Sequence, residues 1–128
     1  MSDRISILST ENHCIDVEHL YTVEGYITLA LTIKSGDFKG KSNFCFSKET
    51  LTHFIQSLKE MGTRLDGSSR IDDYDSDAYI YLEVNKLGHV VISGQLGGSH
   101  QEHSMKFKFS TDQTVLEELR QYLDSLVF

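Results

Sequence analysis

The sequence predicts an α+β fold, with an antiparallel sheet of about six or seven strands and two helices packed on one face, all within a single domain, residues 1–128. Three observations carry that expectation. Apolar residues alternate with polar ones in a series of short runs; the period lengthens to that of a helix twice, each time after strands; and proline is absent, so Gly, Asn, Asp and Ser must make the turns and mark them. A chain of 128 residues is long enough to bury about two thirds of its unfolded surface without a staple. Each half reads as strands followed by a helix, without a repeat of short period, and is not read as a duplication; neither half holds a sheet and helix large enough to be independently stable, which argues for one domain.

Ile5 and Ile7 alternate with polar neighbours, Glu11 and Asn12 mark a turn, and a second alternation follows at Ile15 and Val17, giving a first pair of strands. After Glu24 and Gly25, the run 26–33 sets Ile27, Leu29, Leu31 and Ile33 on one face and Thr28, Ala30 and Thr32 on the other. Ser35, Gly36 and Asp37 turn the chain into 38–46, where Phe44 and Phe46 share a face and Lys39, Lys41 and Asn43 take the opposite one. From Lys48, the residues Leu51, Phe54, Ile55, Leu58 and Met61 fall on one helical stripe, with Ser47 as N-cap and Gly62 as C-cap. The segment 63–77 has no period and is rich in Asp, Ser and Gly, which predicts a long loop. Ile80, Leu82 and Val84, a turn over 85–88, and Val90 with Ile92 form a hairpin. Gly94, Gly97 and Gly98 loosen the chain before Met105, Phe107 and Phe109 alternate with Lys106 and Lys108. Ser110, with Gln113 three residues on, reads as a capping box for a second helix striped by Val115, Leu116, Leu119, Tyr122, Leu123 and Leu126.

Asp and Glu number 19 against 12 Lys and Arg, a formal charge of -7 that repels phosphate backbones and anionic head groups and favours basic partners. Neither nucleic acid nor membrane is the expected partner. No apolar run approaches the roughly 18 residues of a membrane span, and Met1–Leu8 has neither a basic n-region nor an apolar h-region, so the expected location is the cytoplasm. Cys14 and Cys45 are too few for a disulfide framework or a zinc site and read as free thiols.

The densest charge is the predicted loop, where Asp66, Asp72, Asp73, Asp75 and Asp77 surround Arg70. Asp73, Asp75 and Asp77 have the spacing of the first three ligands of a calcium loop, but Ala78 and Val84 stand where its turn Gly and bidentate Glu are needed, so no metal is assigned. With Tyr74, Tyr79 and Tyr81, the same acids form a candidate partner-binding surface. Alternation puts Tyr79 and Tyr81 opposite the Ile80–Val84 face, where they supply contact area while the carboxylates steer a basic partner. The plain alternative is that the tyrosines only stabilise the sheet by cross-strand pairing.

No catalytic residue and no cofactor is assigned. His13, His19, His53 and His89 fall on separate predicted elements. His100, Glu102 and His103 are the one tight group, in a flexible stretch without the i, i+4 spacing of a zinc hydrolase helix. Cys14 and His13, as strand neighbours, point to opposite faces. The nucleophile-elbow, P-loop and dinucleotide-binding patterns are absent from the sequence.

From the strand start Gly88-His89-Val90 through Met105-Lys106-Phe107-Lys108-Phe109 to Thr111-Asp112-Gln113-Thr114 and the closing amphipathic helix, the chain resembles the WapI family of bacterial immunity proteins. The aromatic strand leading to Leu51 and Phe54 is similar too, so the resemblance runs from about Tyr26 onward. It implies an antidote that binds the C-terminal nuclease domain of a cognate polymorphic or contact-dependent toxin, and it supplies no catalytic residues to carry over. A basic nuclease domain would meet an acidic chain with favourable long-range steering. The rival readings are a non-catalytic structural or adaptor module that assembles through a strand edge or sheet face, and a small enzyme using His100, Glu102 and His103.

Overall fold

The computed structural model describes residues 4–7 and 10–127; half of the segment Met1–Leu8, on which an expectation was placed, lies outside them. The first half of the chain builds β1 (Arg4–Ile7), β2 (His13–Val23), β3 (Tyr26–Ser35), β4 (Phe38–Ser47) and α1 (Lys48–Arg64). The second half repeats that order with β5 (Ser68–Asp72), β6 (Tyr79–Val84), β7 (Val90–Leu96), β8 (Met105–Thr111) and α2 (Thr114–Val127).

The expectation of one sheet of six or seven strands is corrected. The described residues form two four-stranded antiparallel sheets, ordered β1-β2-β3-β4 (sheet A) and β5-β6-β7-β8 (sheet B). Alternation says which face of a strand turns inward but not which strand lies beside it, so eight alternating runs are equally compatible with one sheet or two. The sheets approach where β4 passes β7 and β3 passes β8. At Gly40 an added Cβ would lie 2.9 Å from Met105 Sδ and 3.3 Å from Leu96 Cδ1, so side chains of sheet B fill the space beside β4.

Each inward face behaves as its sequence predicts. Ile27, Leu29, Leu31 and Ile33 of β3 are buried, facing neighbours such as Val17 of β2 and Phe44 and Phe46 of β4. The β2–β3 turn needs two successive residues at positive φ, which Glu24 (51°) and Gly25 (83°) supply, the conformation that matches the twist of a tight hairpin. β2 slips register between His19 and Tyr21, so Leu20 is a bulge residue that bends the hairpin. His13 and His19, expected on separate elements, both lie on β2.

Ser47 caps α1 by accepting from the Thr50 amide at 3.1 Å, and the whole stripe Leu51, Phe54, Ile55, Leu58 and Met61 is buried. The helix passes through Gly62, however, and ends at Leu65, whose left-handed backbone (φ 57°) lets its amide reach the Met61 carbonyl. The long loop is also corrected: β5 occupies residues 68–72, pairing with β6 through Ile71↔Ile80. Its second inward residue is Ser69, buried with its hydroxyl on Ser57 Oγ at 2.7 Å, and a buried serine conceals the alternation. At the second helix the capping box does not form, because Ser110 is still in β8 opposite Val91. Asp112 takes over, accepting from the Thr114 amide at 2.9 Å, and Gln113 donates to the Gly88 carbonyl at 2.8 Å.

The helices pack on each other, α1 lies along β5 and touches β4, and α2 reaches β1. One apolar core therefore draws on both sheets and both helices. At its centre is a void of about 50 Å³ lined by apolar side chains alone, among them Val17, Leu31, Leu51, Leu82 and Val115. Among the described residues no helix is long and apolar enough to cross a membrane; Cys45 is a free thiol, and the Cys14 thiol donates to Asp16 Oδ1 at 3.6 Å.

Candidate functional site

With the interior closed and apolar, the surface must be read for function, beginning with the acidic segment. Asp66 is exposed in the turn between α1 and β5. Asp72 ends β5 and points outward from sheet B, pairing with Arg70 at 3.0 Å. The Arg70 guanidinium sits over the Tyr79 ring, 4.1 Å from its centre. Tyr81 shares that outer face, in register with Arg70, and its hydroxyl donates to Glu83 at 2.9 Å. The alternation that sent Tyr79 and Tyr81 away from the helices is thus realised.

Asp73 turns the opposite way, and it is buried. Its carboxylate accepts from the Cys45 amide at 2.9 Å and from Ser76 Oγ at 2.7 Å, while the Tyr74 amide donates to the Cys45 carbonyl at 2.9 Å. These bonds latch the segment onto the open edge of β4, where unpaired backbone groups would otherwise face solvent. Tyr74 then lies edge-on to Tyr26, ring centres 5.4 Å apart. Asp75 is exposed beside it.

Asp77 bridges a third region. It accepts from the Ser99 hydroxyl at 2.5 Å, the Ser99 amide at 2.8 Å and Gln95 Nε2 at 3.2 Å, bracing the turn after β7. The eight residues singled out in the sequence therefore do not form one patch. Asp72, Tyr79 and Tyr81 lie on the outer face of sheet B, Asp73, Tyr74 and Asp75 lie against sheet A, Asp77 braces a turn and Asp66 stands apart. His100, Glu102 and His103 are exposed in that same turn region.

The latch completes a surface that the sequence reading missed. The outer face of sheet A carries Tyr21 and Val23 of β2 beside Tyr26 of β3, with Tyr21 in register with Thr28 and Val23 with Tyr26. Tyr21 is 55% exposed, Val23 57% and Tyr74 70%. Tyr21, Val23 and Tyr26, together with Asp73 and Asp75, border a groove of about 410 Å³, within the size range of ligand sites, and Tyr74 stands beside it against Tyr26. The available signal was Leu20-Tyr21-Thr22-Val23, a stretch of strand that breaks strict alternation next to a turn.

The Ser99 hydroxyl, followed by its amide, holds the Asp77 carboxyl below its ordinary pKa of 3.8. The Ser6 hydroxyl, aided by Arg4, does the same for Asp16 on sheet A. A lowered folded-state pKa means stability that is fully present above the ordinary carboxylate range and lost as pH falls through the folded value. Urea midpoints are therefore expected to hold from about pH 7 to about pH 5 and to drop below about pH 4. In Asp77→Asn the drop should be shallower, and an unchanged acid limb in that variant would mean the Ser99 brace contributes nothing.

The molecule is thus an α+β fold that lines its central void with apolar side chains alone, holds buried polar groups such as Ser69 and Asp73 in hydrogen bonds, and displays aromatic and acidic groups on two outer sheet faces. The chain belongs to the immunity protein WapI-like family, whose model matches residues 5–127. It is also similar in fold to the solved crystal structures of Trypanosoma bruciei MRP1/MRP2, with a TM-score of 0.56 and 8% identity, covering 97% of this chain and 81% of that one. At that identity the likeness concerns the fold alone. No curated protein matches the chain.

Proposed function

We propose that this chain is an immunity protein that binds and neutralises the C-terminal nuclease domain of a cognate bacterial toxin, covering the surface with which that domain engages its nucleic acid. The observation that carries the reading is membership of an immunity protein family over residues 5–127. The formal charge of -7 supports it, since a nuclease domain is commonly basic and opposite charge accelerates encounter. Neutralisation in this reading is occlusion, steric and electrostatic, and needs no chemistry from the chain.

The direct test is co-expression with the C-terminal domain of a large secreted protein encoded immediately upstream, followed by affinity capture and a nuclease assay. Stoichiometric capture with loss of nuclease activity is expected. Capture that leaves the nuclease at full activity would sink the neutralising role.

The acids should act mainly on the association rate. Asp73 and Asp77 hold backbone, so substituting them mixes structural with electrostatic effects; Asp72 and Asp75 are exposed and separate the two. Asp72→Asn/Asp75→Asn is expected to slow association about 3- to 10-fold at low salt and to flatten its salt dependence, with dissociation little changed. Equal association rates at low ionic strength would remove these two carboxylates from the account.

A further inference from the structure

The two outer sheet faces carry the same combination of groups in different states. On sheet B, Tyr79 and Asp72 share an arginine from their own chain: Arg70 lies 4.1 Å over the ring and 3.0 Å from the carboxylate. On sheet A, Tyr21 and Tyr26 border a groove with Asp73 and Asp75, and among the described residues that line it there is no Lys, Arg or His; Tyr74 stands beside it, edge-on to Tyr26. Tyrosine faces attract a cation within about 6 Å, and a guanidinium stacks there better than an ammonium because it is planar and weakly hydrated. A carboxylate at the rim adds paired charge-assisted hydrogen bonds.

We infer that the sheet A groove is an acceptor site for an arginine side chain on a basic segment of a protein partner, with Tyr21, Tyr26 and Tyr74 receiving the guanidinium and Asp75 pairing with it. The occupant is set by charge: the groove holds carboxylates and aromatic rings, so a cation with a flat apolar face complements it, whereas an anionic or nucleic-acid partner would meet repulsion. Asp73 has its bonds committed to Cys45 and Ser76, which leaves Asp75 as the pairing group. The inference rests on the reading that the chain binds a protein, and it names where and by what chemistry.

The test is a titration of the isotope-labelled full chain with a blocked Gly-Arg-Gly peptide, followed by amide chemical shifts, with the citrulline counterpart as neutral isostere. Shifts are expected at Tyr21, Val23, Tyr26, Cys45, Tyr74 and Asp75 with the arginine peptide and not with citrulline. Tyr74→Ala/Asp75→Asn should weaken binding at least 10-fold, on the scale of one cation–π contact and one charge-assisted pair lost together, while Tyr74→Phe retains it. All three substitutions fall on exposed positions. Shifts spread evenly over every surface acid, or indifferent to Tyr74→Ala/Asp75→Asn, would overturn the site. A dimer that dissociates in that variant would do the same, by showing a second copy of the chain as occupant. If the peptide binds here but no toxin domain is captured, the groove stands and the neutralising role fails; if a toxin domain is captured with equal affinity by the variant, the reverse holds.

Discussion

Gly94→Ala is expected to lower the thermal midpoint by on the order of 10 °C, the larger of two opposed glycine effects in this chain. Gly94 sits in the middle of β7, in register with Ile80 of β6 and Phe107 of β8. A Cβ there would stand 2.3 Å from the Tyr79 carbonyl oxygen and 3.2 Å from the Phe107 ring. The ring could swing aside, but the carbonyl belongs to the β6–β7 ladder and cannot retreat without loosening it. Overpacking of this kind costs about 3 kcal/mol, a large share of the roughly 5–15 kcal/mol that holds a small domain. Gly62→Ala provides the contrast: it lies inside α1 with no heavy atom within 4 Å of its added Cβ, and it should gain about 0.8 kcal/mol from helix propensity. Circular dichroism melts of the two variants should therefore shift in opposite directions. A Gly94→Ala midpoint equal to the parent's would show that β7 yields at no cost.

What made the strands legible was the size of their inward residues. β3 presents four large aliphatic side chains at every second position, and all four are buried, so period alone located the strand and its face. The same signal failed at β5 because one of its two inward positions is Ser69, whose burial depends on Ser57 of α1 as hydrogen-bond partner. The division into two sheets was illegible for a different reason. Strand neighbours are chosen by long-range packing, here by the small Gly40 that lets Met105 and Leu96 come against β4, and that information is not local. The cap of α2 was misplaced by two residues because Ser110 has the chemistry of a cap but remains committed to the β8 ladder.

The candidate site was legible in part and for parallel reasons. Outward orientation of Tyr79 and Tyr81 follows from period two and needs no tertiary knowledge. The roles of the aspartates do not, since five carboxylates of one residue type face five different surroundings. Asp77 is read by Ser99, 22 residues on, and Asp73 by Cys45, 28 residues back. Tyr21, Val23 and Tyr26 escaped notice because a bulge at Leu20 shifts the register, and their value as a surface appears only when Tyr74 is brought across from the second half.

Asp73→Ala tests that convergence and is the second large effect expected. The substitution removes the acceptor for the Cys45 amide and for Ser76 Oγ; hydrogen bonds to a carboxylate are worth about 1.5–3 kcal/mol each, and a donor left without a partner adds its desolvation cost. The expected loss is about 3 kcal/mol in urea unfolding, against about 0–1 kcal/mol for Asp72→Ala, whose ion pair with Arg70 is solvent-exposed on both sides. The two neighbours, identical in type and adjacent in sequence, should thus differ by more than tenfold in their effect on the folding equilibrium. Amide exchange locates the damage: Cys45 and Tyr74 should lose protection in Asp73→Ala while Val84 and Ile92, deep in sheet B, keep theirs relative to global unfolding. Release of the latch also withdraws Tyr74 from Tyr26, so any partner that engages the sheet A groove should bind Asp73→Ala more weakly than Asp73→Asn, in which an amide oxygen still accepts from Cys45. Unchanged protection at Cys45 in Asp73→Ala would show that β4 holds its edge without help, and the acidic segment would then be free to move away from the tyrosines it is here taken to complete.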